Sequence, residues 1–235
     1  MNNRSVSRSL RLSATLLLVG QLLSILLTQL HTGGDANTHP ASFAAYAASG
    51  IWTAVHIGQF AAMAIVLAGL LVLVFALDGQ VEMARWESRF GAASALVALA
   101  LYGALQAVDG VATKQADLAW VNAAEAEQAA RFASAEAVRW LEWGVRSYQD
   151  FALGLALLLF AAAVARAAQV PRPIALLMGL SGLAYLVQGW VVGSEGFSSA
   201  ESIPIVAAFA LNLVWMVWLV VAAWRMRELE PRSLV

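Results

Sequence analysis

The chain has 235 residues, of which 61% are hydrophobic and 12% charged, and its mean hydropathy is +0.72. A composition this apolar excludes a water-soluble domain and marks an integral membrane protein. The net charge of −1 offers nothing to nucleic acid or another polyanion, and the absence of cysteine removes disulfides, thiolate metal sites and cysteine nucleophiles together.

A hydrocarbon core about 30 Å thick needs roughly 20 apolar residues of helix. Six stretches qualify, at about 11–30, 51–77, 91–112, 141–166, 173–193 and 203–224. The predicted fold class is therefore all-α: a polytopic bundle of six transmembrane helices, forming a single domain over residues 1–235. The first stretch, "LSATLLLVGQLLSILL", exceeds the core of a signal peptide, and no small-residue cleavage site follows it directly. It reads as a retained span.

Residues 31–50, "HTGGDANTHPASFAAYAASG", read as an irregular outer loop. The second span starts after it and carries His56 and Gln59 on one face. The third ends in "LYGALQAVDGVATK", where Gln106, Asp109 and Thr113 share a face at three- and four-residue spacing. Asp109 has no counter-charge in its own helix, because Lys114 lies five residues on and points elsewhere. Residues 115–137 are rich in Ala and Glu, which favours a helix that cannot enter lipid. They are expected as an outer amphipathic helix between spans three and four, either a solvated extension of span four or a lid.

Span four opens with "VRWLEWGVRSYQD". Arg139, Glu142, Arg146 and Asp150 fall three, four and four residues apart and so form one stripe, which predicts the pairs Glu142 with Arg146 and Arg146 with Asp150. Pro171 and Pro173 separate spans four and five. Span five ends with Tyr185, Gln188 and Trp190, and its "GWVVG" reads as close helix packing. Span six places Asn212 near mid-membrane. A faint parallel repeat of helix pairs aligns "AVHIGQFA" with "GVRSYQDF".

Charge sets the orientation. Arg4, Arg8, Arg11, Arg85, Arg89, Arg166, Arg172, Arg225, Arg227 and Arg232 fall on one side, whereas the opposite loops hold Lys114 and Arg131. The positive-inside rule then puts both termini in the cytoplasm. With Lys114 the one lysine and Ala abundant, the composition hints at a GC-rich bacterial genome, and the expected location is the bacterial plasma membrane.

A charge at a helix centre in lipid costs about 2.5–3.5 kcal/mol on insertion scales, so these groups are expected to face the bundle interior. Five spans bring polar side chains to a similar depth on the outer side, whereas the cytoplasmic halves of spans two and four, "AIVLAGLLVLVFAL" and "GLALLLFAAAVA", are apolar. The pattern predicts a polar chamber open outward and closed inward, with no continuous pore.

Three function classes fit. In the first, the chamber binds or transports a small amphipathic or lipid-like molecule through His56, Gln59, Gln106, Arg146, Tyr148, Gln188, Trp143 and Trp190, with Tyr185 beside them; the partners are then the lipid bilayer and that ligand. The second is an acid/base isomerase or cyclase acting on an isoprenoid-like substrate, with Asp109 as the proton donor and Glu142 and Asp150 held ionised by Arg146. The third is an accessory subunit whose charges only bind helices together. The counter-charge of Asp109 is expected from another helix or from water, with Arg146 the natural candidate. Oligomeric state stays open.

No metal and no cofactor is assigned. The histidines are His31, His39 and His56, and no pair sits on one helix at ligand spacing. Haem or metal would require His31 and His56 to meet across helices. Gly-x-Ser-x-Gly and P-loop motifs are absent.

The "LQAVDG" and "RWLEWGVRSYQ" phrases, set in this six-span layout, resemble the uncharacterised six-span membrane proteins of actinobacteria that are grouped under domains of unknown function. The resemblance implies the fold and brings no activity with it.

Overall fold

The computed structural model describes residues 3–32 and 39–226. Helix α1 spans Asn3–Gln29, α2 His39–Ala48, α3 Trp52–Leu77, α4 Glu82–Ala107, α5 Lys114–Val121, α6 Gln128–Ala165, α7 Arg172–Glu195 and α8 Ser202–Arg225. Six of the helical runs, those of α1, α3, α4 with α5, α6, α7 and α8, are long and apolar enough to cross a membrane, in the order expected. No strand occurs among the described residues.

Each of these spans packs on the next in chain order, and α8 packs back on α1. The result is a closed ring of six helices. At the cytoplasmic end, as named from the charge asymmetry, Arg11 fastens the closure by donating from Nε to the Ala223 carbonyl (3.2 Å) and from Nη2 to that of Met226 (2.9 Å). These are carbonyls at the end of α8 that no helical partner can take. Arg166 reaches Glu87 at 3.0 Å and ties α6 to α4 at the same end.

Small residues bring backbones together where the ring is tightest. A Cβ added to Gly154 of α6 would lie 2.7 Å from the Gly182 carbonyl of α7, and one on Gly182 would lie 2.8 Å from the Gly154 carbonyl. The two glycines of "GWVVG" sit one turn apart against Ser147, whose hydroxyl donates to the Gly189 carbonyl at 2.7 Å. Toward the cytoplasm the space is filled by apolar side chains, among them Leu73, Phe160, Ile174 and Met178, all fully buried.

Two local expectations are refined. Residues 39–48 lie in a segment expected to be irregular, yet they form α2, because "HPASFAAYAA" is Ala-rich and its Phe43 and Tyr46, one turn apart, bury together. Residues 33–38 of that loop fall outside the described ones. The segment 115–137 is helical but is not one element. It breaks at Asn122–Ala124, its first part prolonging span three as α5 and its second prolonging span four as the start of α6. Span length as judged from hydrocarbon thickness stops at the lipid edge; Ala- and Glu-rich sequence carries both helices beyond it.

Candidate functional site

The ring surrounds a chamber of about 660 Å³. On α6 its lining runs from Arg139 to Leu157, about 27 Å at 1.5 Å rise per residue. The inner part is walled by Leu17, Val66, Leu70, Leu153, Leu157 and Met216, and the outer part by Gln21, Ser24, Gln59, Gln106, Asp109 and the stripe on α6. A roof over the outer end comes from α2, which sets Phe43 edge-on to Trp120 and tilted against Phe132 and lends Tyr46 to the lining.

The four charges of α6 do converge on the chamber, but as two separate pairs. Arg139 donates from Nη1 to Glu142 Oε2 at 2.7 Å, and Arg146 donates from Nε to Asp150 Oδ2 at 3.1 Å. The expected contact between Glu142 and Arg146 is not among them, since Arg139, one turn earlier on the helix, already holds that carboxylate. Arg139 also lies over the rings of Phe197 (4.6 Å) and Tyr46 (5.5 Å), so aromatic faces from two other elements cover its charge. Asp150 is wholly buried.

Asp109 finds a different partner from the one expected. His56 Nε2 lies 2.9 Å from Asp109 Oδ2, and Arg146 stays with Asp150. The cause lies in the backbone. Residues Val108–Thr113 form a π-helical stretch between α4 and α5, which widens the turn and alters the side-chain register from that of an α-helix. Trp52 Nε1 and Thr53 Oγ1 from α3 donate to the carbonyls of Asp109 (2.8 Å) and Gly110 (3.1 Å) in this stretch. Gly110 permits the approach, since a Cβ there would lie 2.6 Å from that of His56. Lys114, as expected, points away: its ammonium donates to the carbonyls of Tyr46, Ala47 and Ser49 at 2.6–2.8 Å, capping the C-terminus of α2.

His31 follows α1 and completes a cluster with these residues. Its ring centroid lies 5.1 Å from that of His56 and 4.8 Å from Trp52, and it lines the chamber. Burial holds its imidazole below the ordinary histidine pKa.

The other candidates divide. Gln59, Gln106 and Tyr185 line the chamber. Gln188 is buried beside it and donates to Glu201 Oε1 at 3.4 Å, and Glu201 itself faces in. Tyr148 and Trp190 do not reach it: they are 69% and 70% exposed on the outside of the ring. Tyr148 is two residues from Arg146, about 200° round the helix, so a stripe that faces inward sends it toward lipid. Trp143 packs under the roof against Gly196 and Phe197, outside the lining.

The lining also includes Gln21, Ser24 and Thr28 of α1, and Tyr102 of α4. Gln21, Ser24 and Thr28 recur at three and four residues along one face of the span, a signal that was readable. Asn212 donates from Nδ2 to the Tyr185 hydroxyl at 3.2 Å and accepts from Trp215 Nε1 at 3.0 Å. Both amide atoms of Gln149, Oδ1 of Asp150, Oδ1 of Asp109 and Oε1 of Gln106 make no hydrogen bond among the described residues. These groups give the outer chamber unspent donor and acceptor capacity.

A second, smaller groove of about 240 Å³ opens on the outer flank between α3 and α4, lined by Ile57, Phe60, Gly103 and Val111, with His56 and Gln106 at its back. Gln106 lines both spaces, so the groove and the chamber are separated by little more than its side chain and the His56–Asp109 contact.

No curated protein and no solved structure matches the chain. The family model described as a domain of unknown function, DUF4386, matches residues 12–223, most of its length, and the chain belongs to that family.

Proposed function

We propose that this chain is a bacterial plasma-membrane protein that binds or carries a small amphipathic or lipid-like molecule in the ring chamber, polar end outward. One observation carries the reading: the chamber changes from charged and amide side chains at its outer end to leucine, valine and methionine at its inner end. A site graded in this way matches a molecule with a polar head and an apolar body, and its volume lies within the usual range for small-molecule pockets. Arg146, Gln149 and Gln106 are placed for the head, and Leu70, Leu153 and Leu157 for the body. The groove between α3 and α4 offers such a molecule a sideways route from the lipid.

The acid/base enzyme is the weaker reading. It requires a carboxylic acid kept neutral by a site without a basic neighbour. Asp109, the proton donor in that reading, has the basic side chain of His56 at 2.9 Å.

Native mass spectrometry of the protein extracted from its host membrane in mild detergent tests the proposal. The expected result is one retained small molecule per chain on the wild type, strongly reduced on Arg146→Gln. A wild type that carries nothing, or only bulk lipids held equally by the variant, would overturn it.

A further inference from the structure

We propose that His31, His56 and Asp109 together bind a divalent transition-metal ion of the zinc type, with its remaining coordination position turned toward the chamber. The inference stands on its own ligand atoms and does not rest on the amphipathic-ligand reading. One ligand atom from each of the three residues lies within 4.8 Å of the other two. They come from three separate elements: the segment after α1, helix α3, and the π-helical stretch after α4. Bonds of about 2.0–2.2 Å to a zinc ion would ask these atoms to close by something on the order of 1 Å, the scale of side-chain adjustment.

Tautomers support the assignment. His31 Nδ1 contacts the Thr32 carbonyl at 3.0 Å, and His56 Nδ1 contacts the Trp52 carbonyl at 2.7 Å. A carbonyl only accepts, so both Nδ1 atoms carry their proton and, in the neutral ring, each Nε2 presents a lone pair. A hydrogen bond from the far ring nitrogen to a backbone carbonyl is the usual outer support of a metal-bound histidine.

His56 then presents a problem that a cation resolves. Its side chain is 1% exposed and its Nε2 lies 2.9 Å from a carboxylate oxygen, yet Nε2 makes no hydrogen bond of acceptable geometry. In the neutral ring this tautomer turns the Nε2 lone pair toward the carboxylate, and an ion shared between the two would accept electron density from both. Two imidazoles and one carboxylate suit zinc, cobalt and ferrous iron, whereas calcium and magnesium take oxygen ligands. Three protein ligands leave a position for water or substrate. Because His31 and Asp109 line the chamber, that position falls where the polar end of a chamber ligand would lie.

The test uses the full chain in detergent, free of any affinity tag, stripped with a chelator, incubated with Zn²⁺ or Co²⁺ and dialysed. Elemental analysis should give one zinc per chain, and the cobalt form should show visible d–d bands of a low-coordinate nitrogen and oxygen site. His31→Ala and Asp109→Asn should each weaken binding by about tenfold or more, while His39→Ala, outside the cluster, keeps it. The proposal is overturned if the wild type holds no ion above the dialysis blank, or if the two cluster variants hold it as tightly as the wild type. The wild-type measurement decides even where a variant fails to fold. Because the readout is metal content, failure of the chamber-ligand proposal leaves it unaffected.

Discussion

Helix α6 passes through two environments, and Asp150 marks the border between them. Outward of it the helix turns Arg139, Glu142 and Arg146 to the chamber; inward of it Leu153 and Leu157 wall the apolar end of the chamber and Phe160 packs into the core on the same face. The outer half is held by paired charges around a space, and the inner half by contact between side chains. The difference teaches how the two halves should fail. In a membrane the unfolded helices remain in lipid, so burying a leucine against another helix gains packing and little transfer energy. An unpaired charge in the same setting keeps its full penalty.

Removing one member of the buried Arg146–Asp150 pair should therefore be the most damaging change. Arg146→Met should lower stability by about 3 kcal/mol, the cost of leaving the wholly buried Asp150 without its partner, and adding Asp150→Asn should recover most of it. Denaturation with sodium dodecyl sulfate in mixed micelles measures both. A double variant no better than the single would show that the outer half is not held by this pair. Next comes packing. Phe160→Ala should cost on the order of 2 kcal/mol, the cavity term for a void the size of a phenyl ring, without altering what the chamber retains. A loss larger than that of Arg146→Met would reverse the proposed ranking of the halves. The smallest effect belongs to the outside of the ring: Tyr148→Leu should change stability by less than about 0.5 kcal/mol and leave chamber occupancy unchanged, as measured by the same denaturation and by native mass spectrometry.

What the residues alone disclosed followed from strong, one-dimensional signals. Hydrophobic length located the six spans, and three- and four-residue spacing collected Arg139, Glu142, Arg146 and Asp150 on one face. Pairing was less legible. Asp109 meets His56 because a π-helical stretch alters the register at Val108–Thr113, and no composition or period in "VDGVAT" announces that change. Tyr148 and Trp190 were grouped with the chamber by their chemistry, although angular position, which the sequence did contain, sends them to lipid. The contribution of α1 was legible in Gln21, Ser24 and Thr28 but lay hidden under its overall hydrophobicity. Proximity of His31 to His56 depends on where a loop lands after α1, and spacing along one helix says nothing about that.

Lys114 joins the roof to this machinery. Its three bonds fasten the end of α2 to the same continuous helical rod that carries Asp109, five residues away. The roof is thus pinned to span three by Lys114 and to span four by the contact of His39 Nδ1 with Glu136 Oε1 at 3.0 Å. Lys114 and Asp109 stand on one shaft, so a single helix braces both the ceiling of the chamber and its flank wall.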